Sequence, residues 1–135
     1  MTDVWPYRSE IVRRVNIEGT KNVAAATVSA GVNRLVVIGS ASSCGIGSME
    51  NPGTEETTFV SNKYGLDYID SKKAAQDFIL SEAKKHNLPA LMVNPTFMFG
   101  AYDSKPGAGQ VIAAINEGKI PGYPSGGRNY ILQKM

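Results

Sequence analysis

Two short apolar runs constrain the fold of this chain more than any other feature. The first is Arg34 to Ile38, rich in β-branched residues, and the second is Ala90 to Val93, ended by Pro95. Runs of this length and composition are typical of strands buried on both faces of a parallel sheet. Helical patterns cover residues 9–30 and 66–85. This alternation predicts an α/β fold with a parallel sheet and helices on both faces.

The rest of the chain is predicted to be one short helix and loops. Apolar residues at helical spacing over residues 110–117 end at a glycine and predict the helix. Residues 48–63 and 121–128 are rich in turn residues and are predicted to be loops.

Composition limits the class of protein. The chain has 135 residues, a net charge of +2 and a single cysteine, Cys44. That length suits one domain and is short for a two-domain enzyme. The small charge gives no reason to expect nucleic acid or an anionic membrane as a partner, and no apolar run is long enough to span a membrane. A lone cysteine suits a reducing compartment, so we expect a cytoplasmic protein without a metal site.

Small polar residues follow both predicted strands, which is where ligands bind in open α/β sheets. The first strand runs into Gly39-Ser-Ala-Ser-Ser-Cys-Gly45, and Ser40 is its first hydroxyl. Taken alone, these serines are best interpreted as turn residues whose hydroxyls bond the local backbone. The second strand runs into Asn94-Pro-Thr-Phe-Met-Phe-Gly100. Two candidate ligand loops therefore end the two strands.

Tyr68 and Lys72 lie four residues apart at the start of the second predicted helix, so their side chains share one helix face. A phenol with an ordinary pKa of about 10 is a poor acid or base at neutral pH, and a nearby ammonium favours its ionised form. Such a pair can transfer a proton to or from a carbonyl or alcohol. Taken alone, the spacing is also common among solvated helix residues. The neighbouring Asp67 and Asp70 are interpreted as first-turn helix charges.

Four ordered segments together resemble the extended short-chain dehydrogenase/reductase family, especially its NAD-dependent epimerase/dehydratase and dihydroflavonol-reductase-like members. They are residues 15–23, similar to NVxGTxNV; residues 34–45, similar to the strand and catalytic serine loop; residues 68–72, a YxxxK match; and residues 94–100, similar to RPxNVYG. Asn94 stands where the family usually has Arg, and Phe99 where it has Tyr. The resemblance implies a partial Rossmann-like parallel sheet with flanking helices, with residues 1–135 forming the central and C-terminal part of a dinucleotide-binding domain.

The resemblance also implies roles for individual residues. Tyr68 would be the general acid/base, Lys72 would favour the ionised phenol and hold the nicotinamide ribose, and Ser40 would bind the substrate oxygen. Asn16 would support a proton-relay water, although a helix asparagine that bonds local backbone fits equally well. Pro95 and Thr96 would line the nicotinamide side of NAD or NADP. The substrate would be a small molecule with a carbonyl or an alcohol.

The family's GxxGxxG fingerprint, which holds the dinucleotide diphosphate, has no counterpart in this sequence. We therefore expect a central fragment that lacks this segment and the C-terminal substrate domain, with no complete second domain. Two functions stay open: an NAD(P)-dependent oxidoreductase or epimerase, and a non-catalytic remnant or partner subunit of one. We also expect an exposed sheet edge, through which two copies would pair.

Overall fold

The computed structural model of this protein describes residues 1, 6–101, 108–122 and 125–133. The chain divides into two compact units, Met1–Asn94 and Pro95–Met135. No helix in the described ranges is long and apolar enough to cross a membrane.

In the first unit, helices and strands alternate as predicted. Helix α1 spans Glu10–Ser29, strand β1 Leu35–Ile38, helix α2 Asp67–His86 and strand β2 Ala90–Val93. The two strands pair in parallel. Each boundary lies within one residue of its prediction, because periodic apolar residues and clear helix ends define these elements. Ser9, for example, caps α1 by accepting a hydrogen bond from the Val12 N–H.

The core of the first unit lies between the two helices and one face of the sheet. Ala24 of α1, Ile79 of α2 and Leu88 form its buried centre. The strand residues packed against it alternate along each strand, with Leu35 and Val37 on β1 and Ala90 and Met92 on β2. This is the two-residue period of a strand with one face on a core.

The opposite face of the same sheet is apolar and exposed. Its residues are Val36, Ile38, Leu91 and Val93, which are 44–58% exposed. The prediction that both strands are buried on both faces, with helices on each side, is therefore wrong for the described part of this unit, where α1 and α2 cover the same face. The apolar runs show that both faces of the strands are hydrophobic, but a sequence pattern does not show what covers them.

A buried carboxylate joins the N-terminal ends of the two helices. Asp67 Oδ2 accepts a hydrogen bond from the Ser9 N–H at 2.7 Å, and Asp67 Oδ1 accepts one from the Arg8 guanidinium at 3.1 Å. The Asp67 N–H in turn donates to the Tyr7 carbonyl. The Ser9 N–H, followed by Arg8 and Arg13, holds the pKa of Asp67 below its usual value, although burial opposes the shift. A residue predicted to be an ordinary first-turn charge thus links α1 to α2.

The second unit is a smaller parallel strand pair with one helix. Strand β3 spans Phe97–Gly100, helix α3 Ala108–Asn116 and strand β4 Tyr130–Gln133. Helix α3 agrees with its prediction to within two residues, but neither strand was predicted. Aromatic contacts accompany the pairing, since the rings of Phe99 and Tyr130 stack with their centres 5.1 Å apart.

Asp67→Asn should lower the free energy of unfolding at pH 7 by about 1.5–3 kcal/mol, the usual contribution of a hydrogen bond to a charged group. Because the folded chain lowers the pKa of Asp67, this contribution is complete above the unfolded pKa of about 3.9 and is lost as the pH falls through the folded value. Urea unfolding at a series of pH values measures both effects.

The control is Asp77→Asn, which removes an exposed ion pair with Lys73 on α2. It should cost no more than about 0.5 kcal/mol. Equal losses in the two variants, or an Asp67 effect that persists unchanged in strong acid, would contradict the proposed link.

We expect the chain to self-associate through the β1–β2 sheet, because among the described residues this sheet has an unpaired edge and an apolar face, and both favour pairing with a second copy. Sedimentation velocity should show a species that grows with protein concentration. Leu91→Lys, on the exposed face, should reduce the association, whereas Met49→Lys, in a loop position 81% exposed, should not. A monomer at every concentration would disprove this expectation.

Candidate active site

Ser40 lies at the carboxyl end of β1, beside the end of β2. The preceding residue, Gly39, donates its N–H to the Val93 carbonyl at 2.8 Å. Ser40 caps the short 3-10 turn Ala41–Ser43, and its Oγ accepts a hydrogen bond from the Ser42 N–H at 3.3 Å. This is the turn chemistry that the sequence allowed. It leaves the hydroxyl proton of Ser40 and one acceptor position free for other partners.

Tyr68, in the first turn of α2, brings its hydroxyl to the same place. The Tyr68 hydroxyl oxygen lies 3.4 Å from Ser40 Oγ. The two hydroxyls thus converge, at a separation that is long for an O–H···O bond. Ser42 adds a third hydroxyl, with its Oγ 2.5 Å from Ser40 Oγ. From the sequence, Ser42 was interpreted only as a turn residue.

Lys72 lies one helical turn after Tyr68 and lines a cavity of about 430 Å³ together with Asn16 and Gln76. Most of the other lining residues are apolar. Burial disfavours the ammonium and lowers the pKa of Lys72 from its usual value. Among the residues that the structure describes, no carboxylate pairs with it. A half-buried cation in a cavity is available to the hydroxyl or anionic groups of a ligand.

Asn16 is buried between α1 and α2. Its Nδ2 donates to Ser71 Oγ at 3.0 Å, and Ser71 Oγ donates to the Tyr68 carbonyl at 3.0 Å. Its own backbone carbonyl accepts from Thr20 Oγ1, and its Oδ1 accepts from the N-terminal ammonium of Met1. Through Ser71, the Asn16 side chain thus stabilises the backbone of Tyr68. Contact of Asn16 with a cofactor or a relay water stays a prediction.

Pro95 and Thr96 follow Asn94 directly and open the second unit. Both residues are half-buried. Thr96 Oγ1 has no hydrogen-bond partner within the described ranges. Their place beside a nicotinamide ring stays a prediction.

Two further polar residues lie beneath the serine loop and were not predicted to be part of the site. Asn94 Oδ1 accepts from the Ser40 N–H at 3.2 Å, and Asn94 Nδ2 donates to Gln76 Oε1 at 2.9 Å. Gln76 also receives the Ser43 hydroxyl at 2.8 Å. Asn94 was noticeable in the sequence only as a departure from the usual Arg, and Gln76 resembled any polar helix residue.

The two long helices are poorly suited to bind the diphosphate of a dinucleotide. Phosphates bind at helix N-termini, where the backbone N–H groups are free. Glu10 lies in the first turn of α1, and Asp67 and Asp70 lie in that of α2. Carboxylates at these ends repel phosphate. Among the residues that the structure describes, no group of three His, Cys, Asp or Glu residues could hold a metal ion.

Comparison with known proteins gives one family and several longer relatives. The sequence pattern of the NAD dependent epimerase/dehydratase family matches residues 3–126. A protein of Synechocystis sp. named "Putative dihydroflavonol 4-reductase" is 28% identical over 129 residues, which are 95% of this chain and 37% of that protein. The chain therefore spans little more than a third of this relative.

Solved structures show the same fold. The crystal structure of gox2253 is similar with a TM-score of 0.77 and 32% identity, over 88% of this chain and 36% of that one. A UDP-N-acetylglucosamine 4-epimerase from Methanobrevibacter ruminantium M1, in complex with UDP-N-acetylmuramic acid, gives a TM-score of 0.74 at 19% identity, over 98% and 44% of the two chains. A dTDP-glucose 4,6-dehydratase from Bacillus anthracis str. Ames, in complex with NAD, gives 0.67 at 23%, over 95% and 42%. At these last two identities the likeness is one of fold alone.

Proposed function

Because this chain belongs to the NAD dependent epimerase/dehydratase family, we propose that it carries the proton-transfer residues of an NAD(P)-dependent oxidoreductase or epimerase of the extended short-chain dehydrogenase type. The substrate is a small molecule that reacts at a carbonyl or an alcohol. The observation that carries the proposal is the 3.4 Å separation of the Tyr68 and Ser40 hydroxyls at the carboxyl end of the sheet. Lys72 follows Tyr68 on the same helix face.

Ser40 binds the substrate oxygen. Ser42 Oγ can donate to Ser40 Oγ, with which it is in contact, and this leaves the Ser40 proton to face a carbonyl. As negative charge develops on the carbonyl oxygen during the reaction, a hydroxyl donor that is already in position stabilises it. In the reverse direction, Ser40 can donate its proton to Ser42 Oγ instead, and Ser40 Oγ can then accept a hydrogen bond from the hydroxyl of an alcohol substrate.

Tyr68 transfers the proton. Its hydroxyl is near enough to Ser40 to reach an oxygen bound there, which is the first requirement for a general acid or base. Lys72 lies one turn further along α2, and its half-buried ammonium adds a positive charge to this part of the helix.

NAD or NADP supplies or accepts the hydride when it is bound. Lys72 and Asn16 would hold its ribose end, because no described carboxylate pairs with the Lys72 ammonium, which can bind ribose hydroxyls. The acidic first turns of α1 and α2 do not fit its diphosphate. That observation favours a second candidate function for the isolated chain, a non-catalytic remnant or partner subunit that needs a dinucleotide-binding segment from elsewhere.

The substrate of the complete enzyme would resemble the substrates of dihydroflavonol reductases more than it resembles nucleotide sugars. The Synechocystis relative carries a dihydroflavonol reductase name, and the segment Asn94-Pro-Thr-Phe97 departs from the arginine of the epimerase pattern. The protein would act in the cytoplasm, with a second copy as its partner.

The chain by itself should bind NAD(P)H weakly or not at all, because its sequence has no GxxGxxG segment and its two long helices begin with carboxylates. Titration calorimetry measures the affinity directly. Addition of a GxxGxxG-bearing segment of a relative should restore binding. A sub-micromolar dissociation constant for the chain alone would show that the diphosphate has a site that we have not recognised.

Tyr68→Phe should reduce turnover by about 10²–10⁴-fold, the usual contribution of a positioned acid or base. Cofactor affinity should not change, because only the transferable proton is removed. The assay follows NAD(P)H absorbance with a panel of carbonyl substrates, in an enzyme that unites this chain with a dinucleotide-binding segment. Tyr64→Phe, at a neighbouring position 57% exposed, is the matched control. Near-normal turnover in the Tyr68 variant would disprove the assigned role.

A further inference from the structure

We propose that Asn94 is a positioning residue for Ser40. Its side-chain amide holds the serine loop, residues 39–44, between the end of β2 and helix α2. This inference rests on the proposed function, because the position of Ser40 affects the chemistry only if Ser40 binds the substrate oxygen.

The oxygen end of the amide holds the backbone of Ser40. Asn94 Oδ1 lies 3.2 Å from the Ser40 nitrogen. Since a backbone N–H can only donate, the oxygen of the amide must face Ser40 and its nitrogen must face α2. An arginine, the residue usual at this position in the family pattern, has five donors and no acceptor. It could not make this bond.

The nitrogen end of the amide ties the loop to α2. Asn94 Nδ2 donates to Gln76 Oε1 at 2.9 Å and approaches Cys44 Sγ at 3.7 Å. Gln76 is 8% exposed and lies about two helical turns after Tyr68. A single amide thus connects the residue proposed to bind the substrate with the helix that carries the proposed acid/base.

Ser43 forms a second connection between the loop and Gln76. Its Oγ lies 2.5 Å from the Ser40 carbonyl oxygen and 2.8 Å from Gln76 Oε1. The single hydroxyl proton of Ser43 bonds one of these acceptors at a time. The N–H and the C=O of Ser40 are therefore both held near buried partners, while its own hydroxyl faces Tyr68.

Because Gly39 has no side chain, it leaves space for the side-chain amide of Asn94. A Cβ atom at Gly39 would lie 2.1 Å from Asn94 Oδ1, far inside contact distance. Gly39 does not have a positive φ, so the backbone would accept an alanine and only this collision opposes it. The next contact, the flexible end of Met92, lies at 3.0 Å. A side chain at position 39 should therefore displace the amide of Asn94.

The first experiment uses Cys44, the only cysteine of the chain, as a reporter in the intact protein. Asn94→Ala should raise the rate of Cys44 modification by a disulfide reagent and the exchange rate of the Ser40 amide by about tenfold each, the ratio that corresponds to one net hydrogen bond. The amides of α2 should stay protected, which shows that the fold is intact. Asn33→Ala, at an exposed position without side-chain hydrogen bonds, should change neither rate.

Two further variants keep the test independent of general destabilisation. Asn94→Asp retains the acceptor, so it should protect the Ser40 amide better than Asn94→Ala does. Gly39→Ala should raise both rates when Asn94 is present and have little further effect in the Asn94→Ala background, because the displaced amide is then already absent. Unchanged rates in Asn94→Ala, or additive effects of the two alanines, would overturn the proposal.

Turnover separates this inference from the function on which it rests. In the enzyme that unites this chain with a dinucleotide-binding segment, Asn94→Ala should lower kcat by about 10–100-fold with the KM for NAD(P)H unchanged, since a displacement of about 1 Å at a reacting group has effects of this size. Tyr68→Phe should lower turnover by about 10²–10⁴-fold and leave the Cys44 and Ser40 rates unchanged. An unchanged kcat in Asn94→Ala beside an inactive Tyr68→Phe would overturn the role of Asn94 alone. Retained turnover in Tyr68→Phe would overturn the proposed function, and the positioning role with it.

Discussion

The carboxylate of Asp67 lies where the N-terminal ends of two helices meet. Both ends carry partial positive charge, and Arg8 and Arg13 add two full charges beside them. Without an anion between them these groups would repel one another, so Asp67 stabilises the approach of α1 to α2. Tyr68 is the next residue in the chain. The position of the proposed acid/base is therefore set by a buried charge one residue away.

A second contact between the two helices lies one helical turn further along α2 and sets the rotation of α2 about its own axis. Ser71 is fully buried and receives Asn16 of α1. Asp67 and Ser71 are four residues apart and share the face of α2 that is turned to α1. Tyr68 and Lys72 follow each of them by one residue, which turns their side chains by about 100°. The same two contacts that pack the helices thus also set the directions of Tyr68, whose hydroxyl reaches the serine loop, and of Lys72, which lines the cavity with Asn16.

The parts of this structure that were predictable from the sequence are those encoded by near neighbours. Apolar periods located α1, α2, β1 and β2, and the resemblance assigned Ser40 and Tyr68 to one site. Strand β3 was missed because residues 94–100 were interpreted as a ligand loop, and β4 because its four residues are defined by pairing with that distant segment. The amide contacts of Asn94 were missed for the same reason, since Gln76 looks like a surface residue until its neighbours are known. The interpretation of Ser40 as a turn residue is confirmed, and its proposed role in the site is compatible with it, because one hydroxyl has enough hydrogen-bonding capacity for both.

The parallel register of β1 and β2 also determines the order in which the site can assemble. Leu35 lies opposite Ala90, so the strands meet only after the whole intervening chain has been brought together, at an entropic cost that local helix formation does not carry. The helix that holds Tyr68 and Lys72 can form early. The serine loop and Asn94 lie at the ends of the two strands and reach each other only when those strands pair. The proposed proton-transfer site is therefore a late product of folding, and a nascent chain released before residue 94 has emerged would carry the tyrosine without the serine in place.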